Sequence, residues 1–226
     1  MPNKHQFLIL AALALSLRAA EPWESKPFTA WTDEEIHGLL SNSPWAHQIT
    51  FSETYSDPVS EGSGGGRKRG GGGGGFSGVS SSTPRMILIV LWESALPVRQ
   101  GLLRLKYGAE VAATPDAKEF LDRGEPNYNI LITGLPASAA KGDIEKEEET
   151  IRKRTALRSK GKMPVLPLTV EVTVSGQAAS ATYQFPRTAT FTPDDQEVEF
   201  STKIAGTSVS HKFHLKDMVF HGNLEL

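Results

Sequence analysis

Apolar and polar positions follow different rhythms along this chain, and each rhythm predicts a different kind of element. From Thr32 the rhythm is helical. Thr32 with Glu35 three residues on forms a capping box, and Trp31 and Ile36 occupy the two positions of a hydrophobic staple. Asp33, Glu34 and Glu35 suit the positive end of a helix dipole, and Leu39 and Leu40 continue the apolar face until Ser41-Asn42-Ser43-Pro44 stops it. Trp45 to Tyr55 then reads as a strand, with Ile49 and Phe51 alternating against polar neighbours. At Met86 the run MILIVLW is continuously apolar and of strand length, which predicts a central strand covered on both faces. Ser94 is placed to cap a following helix, with Pro97 in its first turn and Val98, Leu102 and Leu105 on its buried face. Asp116 to Arg123 predicts a short helix closed by Gly124, and Tyr128 to Leu135 a second buried strand ending at Pro136. Two buried strands joined through helices predict a right-handed crossover with the strands parallel.

Asp143 to Lys160 carries a charge-segregated helix, acidic at Glu145 and Glu147 to Glu149, then basic at Arg152, Lys153, Arg154 and Arg158. That order complements the dipole, and Glu148 with Arg152 and Glu149 with Lys153 are spaced for i,i+4 pairing. Gly161 is expected to end it, and its few apolar residues, Ile144, Ile151 and Leu157, predict a surface-lying helix. From Leu168 the period becomes two. Leu168, Val170, Val172 and Val174 alternate with polar residues, and Ala179, Ala181, Tyr183 and Phe185 repeat the pattern beyond a turn at Gly176. Pro193-Asp194-Asp195 and Gly206-Thr207-Ser208 mark further turns before a last strand, Met218 to Leu226. This region reads as an antiparallel meander of about five strands. The fold class is therefore α+β: a mixed sheet with a few packing helices and a C-terminal antiparallel β-meander.

Two segments stand outside these rhythms. Residues 1–20 place Lys4 before the apolar run Phe7 to Leu17, which is shorter than the about 20 residues a membrane-spanning helix needs. The run ends in small residues before Glu21 and Pro22, which predicts a secretory signal peptide cleaved after Ala20, although Arg18 occupies the minus-three position. Residues 57–84 include GSGGGRKRGGGGGGFSG, a glycine density with nothing to bury and a large entropy to lose, so a disordered loop is expected. The predicted organisation is a signal peptide at 1–20, the first helix and strand of a globular domain at 21–56, the Gly-rich loop at 57–84, and the rest of the domain at 85–226. Within that last part the α/β portion runs to about 163 and the meander from 164 to 226.

Composition narrows the chemistry. The chain has no cysteine, which removes disulfides, thiolate nucleophiles, Cys-ligated metal centres and lipidation at cysteine. With Lys4 and Arg18 gone in the leader, 22 basic face 26 acidic side chains, a formal charge of −4 that supplies no general drive toward nucleic acid or acidic lipid. The Arg67-Lys68-Arg69 cluster has neither interleaved aromatics nor repeated basic units, and no Gly-Lys-Ser or Gly-Lys-Thr follows the glycines. Ser94 is the most enzyme-like residue, at a junction of strand and helix, but Glu93 and Ala95 stand where a nucleophile elbow needs its turn, and no flanking glycine is present. Arg99 reads as an exposed helical arginine. His211 and His214, three apart on a strand, fall on opposite faces. His211 and His221 are placed to meet across strands but lack a third ligand by spacing, and His37 and His47 carry no spacing argument. No catalytic, cofactor-binding or metal residue is assigned, and no cofactor.

The segments PWESKPFTAWTDEEIHGLLSNSPWA, LIVLWESALPVRQ, RSKGKMPVLP, EVEFSTKIAG and KFHLKDMVFHGNLEL resemble corresponding stretches of uncharacterised secreted proteins abundant in Acidobacteria. The resemblance implies export and a shared fold, and it carries over no functional residue. The expected function is that of a periplasmic or secreted, non-enzymatic interaction or structural protein. It would dock a protein partner of the cell envelope through sheet edges or a tryptophan-rich surface, with no nucleic acid bound and no integral membrane segment left after cleavage. The alternatives are a small-molecule or ion-binding periplasmic protein and a cell-envelope hydrolase built on Ser94, a histidine and a carboxylate.

Overall fold

The computed structural model of the chain describes residues 21–52, 85–137, 144–188, 190–204 and 206–226. The expected signal peptide, the Gly-rich tract with Arg67-Lys68-Arg69, and Asp143 lie outside the described residues. In chain order the elements are α1 (Pro22–Ser25), α2 (Asp33–Ser41), β1 (Ala46–Ser52), β2 (Arg85–Trp92), α3 (Leu96–Tyr107), α4 (Pro115–Asp122) and β3 (Asn127–Pro136). They continue as α5 (Ile144–Lys153), β4 (Ala156–Arg158), β5 (Thr169–Ser175), β6 (Ala178–Pro186), β7 (Glu197–Ile204), β8 (Thr207–His214), β9 (Val219–Phe220) and β10 (Asn223–Leu224). Helix α2 starts where its capping box requires. The Glu35 N–H donates to Thr32 Oγ1 at 3.3 Å and the Thr32 N–H to Glu35 Oε2 at 2.8 Å. Both staple residues, Trp31 and Ile36, are buried.

The strands form an α+β architecture of two larger sheets and a terminal hairpin. One sheet has the order β1-β2-β3-β6-β5, the other β4-β7-β8, and β9 pairs with β10. Period-two patterning decides which faces meet. Trp92 and Tyr128 turn inward from the first sheet, and Trp92 meets Phe213 of β8 edge-on at 5.0 Å between ring centroids. Tyr183 and Phe185 meet Phe200 of β7 in the same manner. Of these six aromatic residues all but Tyr128 are fully buried, and Tyr128 nearly so. The Tyr183 hydroxyl is held inside this layer by a short chain of alcohols: it accepts from Thr202 at 3.4 Å, and Thr202 lies 2.6 Å from Thr155 Oγ1. Burial pushes the Tyr183 phenol well above its usual range, so it stays protonated.

The expected parallel crossover does not occur. β2 and β3 are antiparallel, with Trp92 opposite Ile130 and Ile89 opposite Thr133. With two helices between them, α3 and α4, β2 ends and β3 begins at the same end of the sheet. The Glu93 N–H bonds to the Asn129 carbonyl at 2.8 Å at that shared end. Every pairing among the named strands is antiparallel.

The C-terminal meander is present but divided. The β5–β6 hairpin extends the five-stranded sheet, while β7 and β8 pair with β4 in the other. The charge-segregated helix also stops earlier than expected, at Lys153 rather than Lys160. Thr155 Oγ1 donates back to the Ile151 carbonyl at 2.7 Å, and the next residues are drawn into β4 because Leu157 is fully buried opposite Phe200. Gly161, at φ +79°, serves the turn between β4 and the extended segment 163–167, not a helix end. The expected Glu149–Lys153 pair forms at 2.7 Å. Glu148 instead accepts the outward N–H of Val172 at 3.0 Å and so blocks part of the β5 edge. On α3 the buried stripe is rotated from the expected one. Leu105 is exposed, whereas Gly101 faces α2 so closely that a Cβ there would stand 3.2 Å from Leu39 Cδ2.

Candidate functional site

Where β2 feeds α3, the chain brings polar groups from four separate segments around one cleft of about 390 Å³. Its lining includes Ser94, Arg99, Glu125, Arg187 and Glu225. Each has an identifiable reason to be there. Ser94 does not cap α3: the N-cap is Ala95, and Ser94 Oγ accepts the Asn129 N–H at 3.1 Å, tying β2 to β3. The open N–H of Leu96 is met at 3.4 Å by Glu225 Oε2, a carboxylate that also suits the positive end of the α3 dipole. Nothing local signals that partner, because the two residues are 129 positions apart.

Arg99 departs from the expectation of an exposed helical arginine, since only 5 % of it is accessible. Nη2 donates to the Phe120 carbonyl and, at 2.9 Å, to the Arg123 carbonyl, satisfying the open C-terminal end of α4. Its guanidinium also lies over the Phe120 ring at 4.5 Å. Nε stands 3.3 Å from Glu125 Oε1 without hydrogen-bond alignment, so the attraction there is ionic. Arg187, at the exposed rim, lies over the Tyr128 ring at 4.4 Å and donates to the main-chain oxygen of Leu226.

Electrostatics follow from this crowding. Burial pushes the Glu93 carboxyl up from its ordinary value, and the negative charge of Glu125 adds to the effect. Burial likewise raises Glu225, against the opposing pull of the Leu96 N–H, Arg187 and Arg99. Arg99 is lowered by burial, with Glu125 acting in the other direction. Chemically the cleft offers two guanidinium groups and two carboxylates, most already bonded within the fold. A serine nucleophile needs a base within hydrogen-bond reach. Among the described residues, those lining this cleft include no histidine, and Ser94 Oγ accepts from a backbone amide.

The histidines gather elsewhere, and not as spacing suggested. His211 meets His47, not His221: the two rings stack at 4.4 Å between centroids, 10° from parallel, joining β1 of one sheet to β8 of the other. They border a smaller cleft of about 120 Å³ with His214, Lys212 and Asp217. Burial, then the neighbouring His47 and His214, push His211 down to about 4. His211 lies opposite Phe200 and His214 opposite Glu197, so the two occupy opposite faces of β8. His221 instead has Nδ1 3.9 Å from Glu24 Oε2, and His37 is exposed on α2. Among the described residues no three His, Cys, Asp or Glu side chains converge as a metal ion requires. No helix among them is long and apolar enough to cross a membrane. The tryptophan-rich docking surface does not exist, because Trp23, Trp31, Trp45 and Trp92 are all buried in the core.

No protein-family model, curated protein or solved structure matches this chain.

Proposed function

We propose that this chain is an exported, non-enzymatic interaction protein working outside the cytoplasm. The observation that carries this reading is the state of the polar cleft. Its chemical groups hold the fold together: Arg99 clamps α4, Glu225 caps α3, and Ser94 ties β2 to β3. Removing any of them to do chemistry would leave a buried group unpaired, at a cost of about 1–5 kcal/mol in stability. The apolar run before Glu21 and the resemblance to secreted proteins support export. With the tryptophans buried and the β5 edge partly blocked by Glu148, the contact surface has to lie on other exposed groups.

The test is fractionation of the native host followed by affinity capture. The expected result is a processed chain starting near Glu21 in the envelope fraction, held there by a saturable contact. Recovery of the unprocessed chain from the cytoplasm overturns the reading. A second reading, small-ligand binding, is favoured by the size of the Arg187–Glu225 cleft. It predicts a thermal shift with small zwitterions that Arg187→Ala removes, and no shift with the wild-type chain rejects it.

A further inference from the structure

The near-neutral net charge of the chain conceals a local segregation. From Thr150 to Val170 there are six basic residues, Arg152, Lys153, Arg154, Arg158, Lys160 and Lys162, and no acidic one. Two of the six are neutralised inside the fold, Lys153 by Glu149 at 2.7 Å and Lys162 by Asp195 at 2.7 Å. Arg158 bonds Ser201 Oγ and stands opposite Glu199 in the β4–β7 register. Arg152, Arg154 and Lys160 are exposed and make no salt bridge among the described residues. Arg152 lies within about one helical turn of Glu148 and Glu149, and its charge helps to lower the Glu149 carboxyl, whereas Arg154 and Lys160 lie beyond the end of α5.

Beside these charges the same segment exposes large apolar side chains. Met163 is 86 % accessible at the turn after β4, Leu166 58 % and Leu168 52 %. Leu166 and Leu168 are held outward by structure, not by looseness. Val165 and Leu157 exchange both backbone hydrogen bonds at 2.9 Å, and Val165 and Pro167 are buried, so Leu166 and Leu168 take the opposite side of the extended chain. Pro164 and Pro167 lack N–H groups, Val165 is paired with Leu157, and the Leu168 N–H is bonded to the Gln184 carbonyl at 2.7 Å. From Pro164 to Leu168 a protein strand adding at this edge would find only the Leu166 donor, which disfavours β-augmentation there.

We propose that this corner docks on the surface of an anionic phospholipid bilayer. Arg154 and Lys160 meet the headgroups, and Met163, Leu166 and Leu168 enter the interface. The complementarity is of two kinds at once, positive charge for phosphate and apolar area for the acyl boundary, which is the combination peripheral attachment requires. The inference deepens the interaction reading by naming the partner surface, and it rests on export placing the chain beside such a leaflet.

The test is co-sedimentation of the full chain with phosphatidylcholine vesicles, with and without phosphatidylglycerol. Binding is expected only to the anionic vesicles and is expected to weaken with added salt. Each basic residue removed should weaken it about fivefold, so Arg154→Ala with Lys160→Ala costs about 25-fold. Met163→Ser with Leu166→Ser should weaken it at least tenfold while leaving the circular dichroism unchanged, since both side chains are exposed. Any leader present is common to every variant, so the differences belong to this corner. Equal binding by all variants, equal binding to neutral vesicles, or competition by inorganic phosphate at constant ionic strength overturns the proposal. Capture of an envelope protein without vesicle binding overturns it too, but leaves the interaction reading standing.

Discussion

Gly134 shows how one missing methyl group sets the geometry of the main sheet. It sits at φ +83° in β3, where the register with β6 shifts between Ile132 and Leu135. A Cβ at this position would stand 2.2 Å from the Ile87 carbonyl oxygen of β2. Alanine must therefore pay for a left-handed backbone, about 1–2 kcal/mol, and also push β2 away. Gly134→Ala should lower the unfolding free energy by more than about 2 kcal/mol, against about 1 kcal/mol for Gly176→Ala, where φ is +63° but the space is open. Urea denaturation of both variants separates strain from steric clash. Similar losses in the two would show that the close approach of β2 contributes nothing.

At the scale of elements, α4 depends on a clamp from α3. Arg99 supplies the donors for two carbonyls at the end of α4, and its charge faces Glu125 where only 16 % of that side chain is accessible. Arg99→Met keeps the stem but strands both carbonyls and a largely buried carboxylate, so a loss of about 3 kcal/mol or more is expected. Lysine should not fully restore it, because one ammonium cannot both bond the two carbonyls as Nη2 does and face Glu125 as Nε does. Hydrogen exchange should show α4 losing protection before the sheets. Unchanged protection in α4 would mean the clamp is not what holds it. This arrangement also marks the boundary of what the sequence reveals. The start of α2 is written within five residues, and the apolar runs of β2 and β3 are legible as strands, although only one face of each is fully covered: Ile87 is 50 % accessible and β3 alternates buried with half-buried positions. Strand direction is not legible, since period-two patterning is the same for parallel and antiparallel neighbours. Arg99 looks like any helical arginine because its acceptors are backbone carbonyls, which no side-chain pattern records. Glu225 is hidden for a different reason, its partners Leu96 and Trp45 lying 129 and 180 positions away.

For the whole molecule, acid stability should register the seam where the two sheets meet at β1 and β8. His211 faces His47 across that seam, with His214, Lys212 and Asp217 beside it and Phe213 edge-on at 4.6 Å. Its pKa falls from 6.5 to about 4 on folding, chiefly through burial. The unfolded chain therefore takes up a proton below pH 6.5 that the folded chain refuses until about pH 4. Stability from this group is complete above pH 6.5, declines as pH falls through that window, and levels off below it. Glu93 and Glu225 act in the opposite sense, because their raised pKa lets the folded form bind protons first. A raw stability profile therefore mixes the two signs. His211→Phe separates them by keeping an aromatic ring at the seam while removing the titration. The wild-type stability minus that of the variant should be flat near neutrality. It should then drop on the order of 2 kcal/mol between pH 6.5 and 4, after allowance for solvent screening, and flatten again. A constant difference across that range would show that His211 titrates alike in both states and that the seam is open to water. A rising difference on acidification would require the imidazole to be stabilised as a cation, which burial and the neighbouring His47 and His214 oppose.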